Sequence, residues 1–431
     1  MTNGYKQVDW LGKTNVYEVN LRQITQEGSI KAFMNQHLDR LHDMGVDVLW
    51  FMPITPISVK GRKGTLGSYY ACSSYTKLNP EFGVMDDFIA LVNAAHDRNM
   101  KVIIDWVANH TGCDHEWTNS HLDFYKKNDA GECYDAHGWD DVIDLDYGNP
   151  AMRIEMIQSM RFWIEHCNID GFRCDMAMLT PADFWHQART ALQDVKDLFW
   201  LAELDPLDNP DYMEVFDSAY TWRWMNDTKQ FRDHGAREIY HMKYILETYG
   251  STMPANAFPA WFTSNHDENS WNGTEYEKYG EMAVPLVVFS TLWKGVPLIY
   301  NGQELPNVKR LAFFDKDPIQ WQTEPVLHGF YKKLLNFRKT NPVFQGPAHE
   351  VFCLHKRNSV DHHILSFERK IGDHAVLVLI NFSEYPLHNV EVAVPDAKGI
   401  YTELFTSAVN VFQNQHHYFH IQPWGYQIWY K

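Results

Sequence analysis

The sequence predicts a parallel (β/α)8 barrel followed by a smaller all-β domain. Short apolar runs alternate with amphipathic helical patterns up to residue 345, as in a barrel with insertions. From residue 346 onward, short alternating strands with turn signals replace that pattern. A doubly wound sheet is the alternative, but Leu21 is followed by Arg-Gln-Ile-Thr-Gln-Glu and not by a glycine-rich phosphate turn. The barrel is therefore favoured.

Eight apolar runs are predicted as the barrel strands. They are Val16–Leu21, Val46–Met52, Lys101–Val107, Asp170–Ala177, Phe199–Leu204, Phe216–Trp222, Ala260–Asn265 and Val296–Tyr300. Helical patterns lie between them, at Ile30–Met44, Asp86–Asn99, Met152–Cys167, Ala182–Lys196, Met225–Tyr249, Tyr279–Trp293 and His328–Lys339. Asn149-Pro150 is a helix start signal and Gly45 a stop signal, which supports two of these boundaries.

These patterns divide the chain at residue 345. Residues 1–345 are expected to form the barrel, with a protruding subdomain over 111–148, a long connection rich in Asp, His and Gly. Residues 346–431 are expected to form a β-sandwich. Its predicted strands are Glu350–Leu354, His363–Glu368, Ala375–Asn381, Val390–Val394 and Tyr418–Gln422.

Composition excludes several classes of protein. The 431 residues include 38 Lys and Arg against 55 Asp and Glu, and a net charge of -17 argues against nucleic-acid binding. Polar residues break the longest apolar stretch, Met282–Tyr300, so no membrane association is expected. Aromatic residues reach 15 %, which suits stacking on sugar or base faces. Residues 1–10 lack signal-peptide features, so a cytoplasmic location is expected; an exported form whose leader has been removed is the alternative.

Acidic side chains recur where the predicted strands end. Barrel enzymes place their chemistry at the carboxyl ends of the strands. Carboxylates packed closely repel each other, and their use lies in keeping one ionised and another protonated, as glycoside cleavage needs. The residues concerned are Asp105, Asn109, His110, Arg173, Asp175, Glu203, His266 and Asp267.

Each of these residues also has an ordinary structural interpretation. A lone Asp105 at a strand end is as often a turn or cap residue, and a lone Arg173 is more often a salt-bridge partner. His110 and His266 taken singly are more often hydrogen-bonded fillers than catalysts. The recurrence of similar chemistry at four strands is what favours a catalytic site.

At these residues the chain resembles the α-amylase family of glycoside hydrolases, glycoside hydrolase family 13. The resemblance covers the whole chain, and its segments follow the order of that family. They are Asp105-Trp-Val-Ala-Asn109-His110, Gly171-Phe-Arg173-Cys-Asp175, Leu201-Ala-Glu203, Thr263-Ser-Asn-His266-Asp267 and Gly295-Val-Pro-Leu-Ile-Tyr-Asn-Gly302.

The resemblance implies a role for each catalytic residue. Asp175 would be the nucleophile that forms a covalent glycosyl-enzyme, and Arg173 would keep that carboxylate ionised and oriented. Glu203 would be the general acid and then the general base. Asp267 would bind sugar hydroxyls and stabilise the distorted transition state. Such a two-step displacement retains the anomeric configuration.

The resemblance also implies binding residues. His110 and His266 would hydrogen-bond the sugar at the cleavage point. Tyr70, in Gly67-Ser-Tyr-Tyr70, would stack beneath that sugar, although a core aromatic is the alternative.

Asn109 and Asp144 match positions that ligate a structural calcium ion in many members of the family, and such an ion would hold the protruding loop. Asp144 has the alternative of capping a turn. The chain departs from the family after the nucleophile, where Met178-Leu179 stands in place of a Lys-His pair that often contributes to this site. No organic cofactor is implied.

The implied activity is hydrolysis of α-1,4 bonds in starch, glycogen or maltooligosaccharides. A transglycosylase or glucosyl isomerase shares the same motifs and stays open, because the choice depends on whether water or sugar occupies the acceptor site. A non-catalytic sugar-binding relative would be free to lose any of the three acids Asp175, Glu203 and Asp267. Their joint presence argues against it.

Overall fold

The computed structural model describes residues 4–233, 239–345, 352–394 and 397–431. Eight parallel strands form a closed barrel, in the spatial order β1-β8-β7-β6-β5-β4-β3-β2. The strands are β1 Val16–Val19, β2 Val48–Phe51, β3 Lys101–Trp106, β4 Gly171–Cys174, β5 Phe199–Ala202, β6 Ser218–Tyr220, β7 Phe258–Trp261 and β8 Val296–Tyr300. The predicted barrel is confirmed.

The observed strands are mostly shorter than the predicted runs. Strand β4 ends at Cys174, one residue before Asp175, and β5 ends at Ala202, one residue before Glu203. Strand β7 covers Phe258–Trp261, where Ala260–Asn265 was predicted. The apolar runs continue past the last ladder hydrogen bonds because the turns that carry the acidic residues are buried as well. The hydrophobic pattern therefore reports burial and not pairing.

The helices lie on the outside of the barrel. They are Leu21–Ile24, Ile30–Phe33, Asp39–Met44, Met85–His96, Pro150–Cys167, Ala182–Leu192, Trp222–Asp233, Tyr240–Thr252, Glu275–Tyr279, Ala283–Leu292 and His328–Thr340. A π-helical turn over Met34–Leu38 joins the second and third of these. Gly45, with φ 96°, ends the helix Asp39–Met44. The Asn149 side chain accepts hydrogen bonds from the first turn of the helix Pro150–Cys167.

Two predicted helices differ from the observed ones. A single helix was predicted over Met225–Tyr249, whereas the structure has the two helices Trp222–Asp233 and Tyr240–Thr252. Residues 234–238 lie outside the described part of the chain. The helix predicted over Tyr279–Trp293 follows a separate short helix capped by Thr274. Gly280, with φ 55°, separates the two because it adopts a conformation that a helix does not contain.

Residues 111–148 protrude from the barrel after β3. His110–Gly112 pairs with Val142–Asp144 as a short antiparallel ribbon at the base of this segment. Trp117 and Phe124 pack edge to face inside it. The ribbon closes the base of the segment, and its buried aromatic residues join the hydrophobic core of the barrel.

The C-terminal domain is all-β. Its strands are β9 Phe352–His355, β10 Ile364–Ile371, β11 His374–Asn381, β12 Leu387–Ala393, β13 Gly399–Glu403, β14 Val409–Phe412, β15 His416–Ile421 and β16 Tyr426–Tyr430. Six form an antiparallel sheet in the order β9-β10-β11-β16-β13-β14, and β12 pairs with β15. An apolar core lies between the two sheets. Strands β13, β14 and β16 were not predicted.

The predicted domain boundary at residue 346 falls outside the described residues and stays a prediction. Within the part of the chain that the structure describes, no helix combines the length and apolarity needed to cross a bilayer. The apolar stretch Met282–Tyr300 instead forms a buried helix followed by β8, as predicted.

Candidate active site

A pocket of about 320 Å³ opens at the carboxyl ends of the barrel strands. Its lining combines acidic side chains with aromatic ones, which is the chemistry of a sugar site. The lining residues are Lys63, Ser68, Tyr70, His110, Trp139, Asp141, Val142, Asp175, Met176, Glu203, Asp267, Trp271, Phe313 and Phe314. Five residues predicted for the site from the sequence line this pocket, and Arg173 and His266 lie directly beneath it.

Arg173 is the centre of the pocket floor. Its side chain is fully buried, and Nη1 donates to both oxygens of Asp105 at 2.9 and 3.1 Å and to Asp175 Oδ1 at 3.0 Å. Its Nη2 pairs with Glu203 Oε2 at 2.8 Å. One guanidinium therefore compensates three carboxylates, each contributed by the end of a different strand.

Asp175 lies among like charges. Burial raises its pKa well above the usual value, the Glu203 carboxylate adds to that shift, and Arg173 opposes it. Arg173 lies between Asp175 and Glu203 and contacts both carboxylates, so the two groups share one positive charge.

Glu203 is oriented by the backbone as well as by Arg173. The Met176 N–H donates to Glu203 Oε2 at 2.9 Å. Met176 has φ 37°, a left-handed conformation that is uncommon for a residue with a side chain. The turn after β4 is held in this conformation where its N–H meets the carboxylate, and backbone strain of this kind clusters at functional sites.

A second group of charged side chains connects β1 to the residues that follow β7. Glu18 Oε1 accepts from His266 Nδ1 at 2.6 Å, and His266 Nε2 lies 3.3 Å from Asp267 Oδ2. Burial disfavours the charged imidazole, but the Asp267 and Glu18 carboxylates raise the pKa of His266 well above its usual value. The imidazolium in turn helps to lower the pKa of Asp267, against the effect of burial. Asp267 is therefore kept ionised.

Tyr70 connects the two groups. Its hydroxyl lies 2.7 Å from His266 Nε2 and donates to Asp105 Oδ2 at 3.1 Å, and its ring stacks on His266 with centroids 5.3 Å apart. His110 lies at another wall, edge to face with Trp139. Burial lowers the pKa of His110 to about 4, so its imidazole is neutral at neutral pH. The site thus holds one charged and one neutral imidazole.

Loops supply the rim of the pocket. Trp271, which is 53 % exposed, packs against Phe313 and Phe314. Across the loops, Lys63 Nζ pairs with Asp140 at 2.7 Å and with Asp141 at 3.1 Å. Since Asp140 and Asp141 belong to the protruding segment, this contact ties the segment to the loop after β2.

The two residues predicted to bind calcium contact each other, and the cation beside them is a lysine ammonium. Asn109 Nδ2 donates to Asp144 Oδ1 at 3.2 Å, and the ammonium of Lys126 donates to Asp144 Oδ2 at 3.0 Å. Calcium prefers six to eight oxygen ligands, whereas a lysine ammonium and an amide N–H face this carboxylate. The expected calcium site does not fit the residues present, and among the described residues no group of three or more His, Cys, Asp and Glu side chains could hold a metal.

Sequence reasoning missed Glu18 and the rim aromatics. Glu18 stands in Val-Tyr-Glu-Val, a strand whose four residues are all buried, and a charged residue in such a run was the available signal. The adjacent Phe313 and Phe314 carry no periodic pattern, since they lie in a loop. The Lys126 contact had no sequence signal, because it joins two parts of an irregular segment.

Comparison with known proteins gives a consistent result. A family model described as the α-amylase catalytic domain matches residues 24–137 and 127–324, and one described as the α-amylase C-terminal all-β domain matches residues 356–428. A crystal structure of a noncanonic maltogenic α-amylase from Thermotoga neapolitana is similar, with a TM-score of 0.87 and 28 % identity. The similarity covers 98 % of this chain and 99 % of that one.

Two curated relatives are more distant in sequence. An α-amylase from Haloarcula japonica is 23 % identical over 395 residues, which are 89 % of this chain and 57 % of that protein. A cyclomaltodextrin glucanotransferase from a Bacillus species is 23 % identical over 416 residues, which are 86 % of this chain and 54 % of that protein. The chain thus spans little more than half the length of either relative.

Proposed function

The chain belongs to the α-amylase family of glycoside hydrolases, and we propose that it is a retaining enzyme that cleaves α-1,4-glucosidic bonds in starch, glycogen or maltooligosaccharides. One observation carries the proposal: Arg173 pairs with both Asp175 and Glu203 at the floor of a pocket whose wall also holds Asp267. Two carboxylates with separate roles, supported by a third, are the requirement of a double displacement.

In the first step Asp175 attacks the anomeric carbon as a carboxylate, the form that the Arg173 charge favours against the effect of burial on its pKa. Arg173 Nη1 holds Asp175 Oδ1, which leaves the carboxylate oriented by the protein and not by the substrate. Glu203 donates its proton to the glycosidic oxygen, and the leaving chain departs. Because Arg173 and the Met176 N–H both contact Oε2 of Glu203, we assign the proton to Oε1.

In the second step Glu203 removes a proton from water, which attacks the glycosyl-enzyme and releases Asp175. Asp267, kept ionised by His266, binds sugar hydroxyls and stabilises positive charge on the ring in both transition states. Tyr70 presents its ring to the sugar at the cleavage point, and His110 donates or accepts a hydrogen bond as a neutral imidazole.

The aromatic rim supports a substrate of several glucose units, because stacked rings bind the apolar faces of sugars. A transglycosylase is the second candidate, supported by the similarity to a cyclomaltodextrin glucanotransferase.

The test is NMR of maltoheptaose turnover that follows product lengths and the anomer formed first. A retaining hydrolase releases short α-anomeric oligosaccharides, with one new reducing end for each bond cleaved. Longer products without new reducing ends would move the assignment to the transferase. A β-anomeric first product, or no turnover of any α-glucan, would contradict the proposal.

A further inference from the structure

The protruding segment is fastened to the barrel around one buried carboxylate. Asp144 ends the strand Val142–Asp144 and lies opposite His110 in the short ribbon. Its backbone oxygen accepts from the Lys126 N–H at 3.0 Å, and the next residue, Leu145, donates to the Asn109 backbone oxygen at 2.9 Å. The side chain of Asp144 therefore lies where the segment and the end of β3 meet.

The carboxylate of Asp144 is fully buried and needs a positive partner. Its Oδ1 accepts from Asn109, and its Oδ2 accepts from Lys126 Nζ at 3.0 Å and from the Ala136 N–H at 3.3 Å. The His137 ring lies further off, at 3.9 Å. An unpaired charge in such a place is strongly destabilising, so the ammonium of Lys126 compensates the carboxylate.

Lys126 is held in position by its surroundings. Its neighbour Tyr125 is buried, bonds Thr111 through its hydroxyl at 3.1 Å, and bridges to Leu145 in the ribbon. The Lys126 backbone thus runs beside Asp144, and its side chain has to fold back only a short way to reach Oδ2. The backbone hydrogen bond between Lys126 and Asp144 therefore places the two partners of the ion pair side by side.

We propose that the ammonium of Lys126 replaces a structural calcium ion in this protein, so that the protruding segment is held without any divalent metal. A lysine ammonium supplies one positive charge and hydrogen-bond donors, whereas calcium needs a shell of oxygens. Around Asp144 the partners are an ammonium, an amide N–H and a backbone N–H, all of which donate. Calcium would have to displace Lys126 and meet donors that repel it.

This arrangement has a consequence for the pocket. Trp139, Asp141 and Val142 line the pocket and belong to the same segment as Asp144. The ion pair therefore belongs to the segment that forms one wall of the pocket. The inference concerns the stability of the segment and does not depend on which α-glucan is the substrate.

The first test uses the unaltered protein. Its melting temperature is expected to be the same within about 1 °C in millimolar EGTA and in millimolar calcium chloride. A ligand that bound only the folded state would raise the melting temperature by mass action, so an unchanged value indicates that calcium does not bind. Titration calorimetry with calcium chloride is expected to give no binding heat. A fall of several degrees in EGTA, or saturable calcium binding, would overturn the proposal.

The second test removes the charge of Lys126 and keeps its stem. Lys126→Met is expected to lower the melting temperature by about 5 °C, since it leaves the buried Asp144 carboxylate unpaired. The matched control is Lys127→Met at the exposed neighbouring lysine, which is expected to change it by less than about 1 °C. Equal effects of the two substitutions would contradict a specific role for Lys126.

A double-mutant cycle separates the ion pair from general damage. Asp144→Asn alone leaves the ammonium without its carboxylate, but Lys126→Met with Asp144→Asn removes both charges together. The double variant is expected to lose clearly less than the sum of the two single losses. Strict additivity would mean that the two side chains do not stabilise the segment through each other.

Discussion

The floor and the rim of the pocket are built in different ways. On the floor, Arg173 is fully buried and meets the carboxylates of Asp105, Asp175 and Glu203 within 3.1 Å, each from the end of a barrel strand. At the rim, Trp271 is about half exposed and packs on the loop residues Phe313 and Phe314. The floor is buried and charged, while the rim is aromatic and open.

This difference separates chemistry from recognition. Strand ends in a closed barrel are positioned by the hydrogen-bonded ladder, which suits groups whose placement decides a reaction. Loops tolerate change, which suits surfaces that select a substrate. Substitutions on the floor are therefore expected to act on kcat, and substitutions at the rim on KM.

The largest effect is expected on the floor at Asp175. Asp175→Asn removes the proposed nucleophile and is expected to lower kcat on maltoheptaose by roughly 10⁴-fold. The melting temperature is expected to stay the same or rise, because a neutral amide relieves the repulsion from Glu203. Steady-state kinetics and thermal unfolding measure the two.

Asp183→Asn, the same change at a side chain that is 70 % exposed, serves as the control and should leave kcat unaltered. Near-normal turnover by Asp175→Asn would refute the nucleophile assignment. A large loss of stability would show that Asp175 has a structural role on the floor.

An intermediate effect is expected at Glu18, which contacts the His266 imidazole beneath the pocket. Glu18 helps to raise the pKa of His266, so Glu18→Gln lowers that pKa. His266 is charged below its pKa and loses its proton as the pH rises. In Glu18→Gln the imidazolium therefore loses its charge at a lower pH than in the parent protein. The basic limb of the kcat/KM profile is expected to shift toward acid, with about a tenfold loss near pH 8.

The pH profile is compared with that of Glu27→Gln, a substitution at an exposed glutamate, which is expected to keep the profile of the parent protein. A profile that Glu18→Gln lowers equally at every pH would indicate loss of packing. An unchanged profile would remove Glu18 from the account of the site.

The smallest effect is expected at the rim. Trp271→Ala removes a stacking surface and is expected to raise KM for maltoheptaose by about five- to tenfold with kcat little changed. Trp271→Phe, which keeps an aromatic ring, is expected to retain most of the affinity. A loss of kcat with constant KM would mean that the rim takes part in the chemistry.

Tyr418→Ala is the matched control, because this aromatic side chain is 61 % exposed on the C-terminal domain. Its kinetic constants are expected to equal those of the parent protein. If Trp271→Ala and Tyr418→Ala changed KM equally, the effect of Trp271→Ala would not depend on its position at the rim of the pocket.

Much of the fold was predictable because it follows local rules. Strand β8 was predicted at its observed bounds, and each of the other seven overlaps its predicted run. Gly45 and Asn149 ended and began helices as their backbone preferences require. The division of the helix predicted over Met225–Tyr249 was missed, because its amphipathic pattern continues across the gap.

The candidate site was predictable in its residues but not in its contacts. Asp175, Glu203 and Asp267 stand out in the sequence because similar acidic groups recur where four predicted strands end. Their roles remain a prediction. Nothing local distinguishes Lys126 from Lys127, since the pairing with Asp144 depends on how the protruding segment folds back.

The sequence by itself determined the alternation of strands and helices and the acidic residues at the strand ends. Hydrophobic periodicity and turn preferences carry that information, because they act between neighbours in the chain. The tertiary structure decided that Glu18 meets His266, 248 residues away, and that the Lys126 ammonium meets the Asp144 carboxylate. Such contacts form only when the barrel closes and the loops dock, so burial and charge pairing select them from many possible partners.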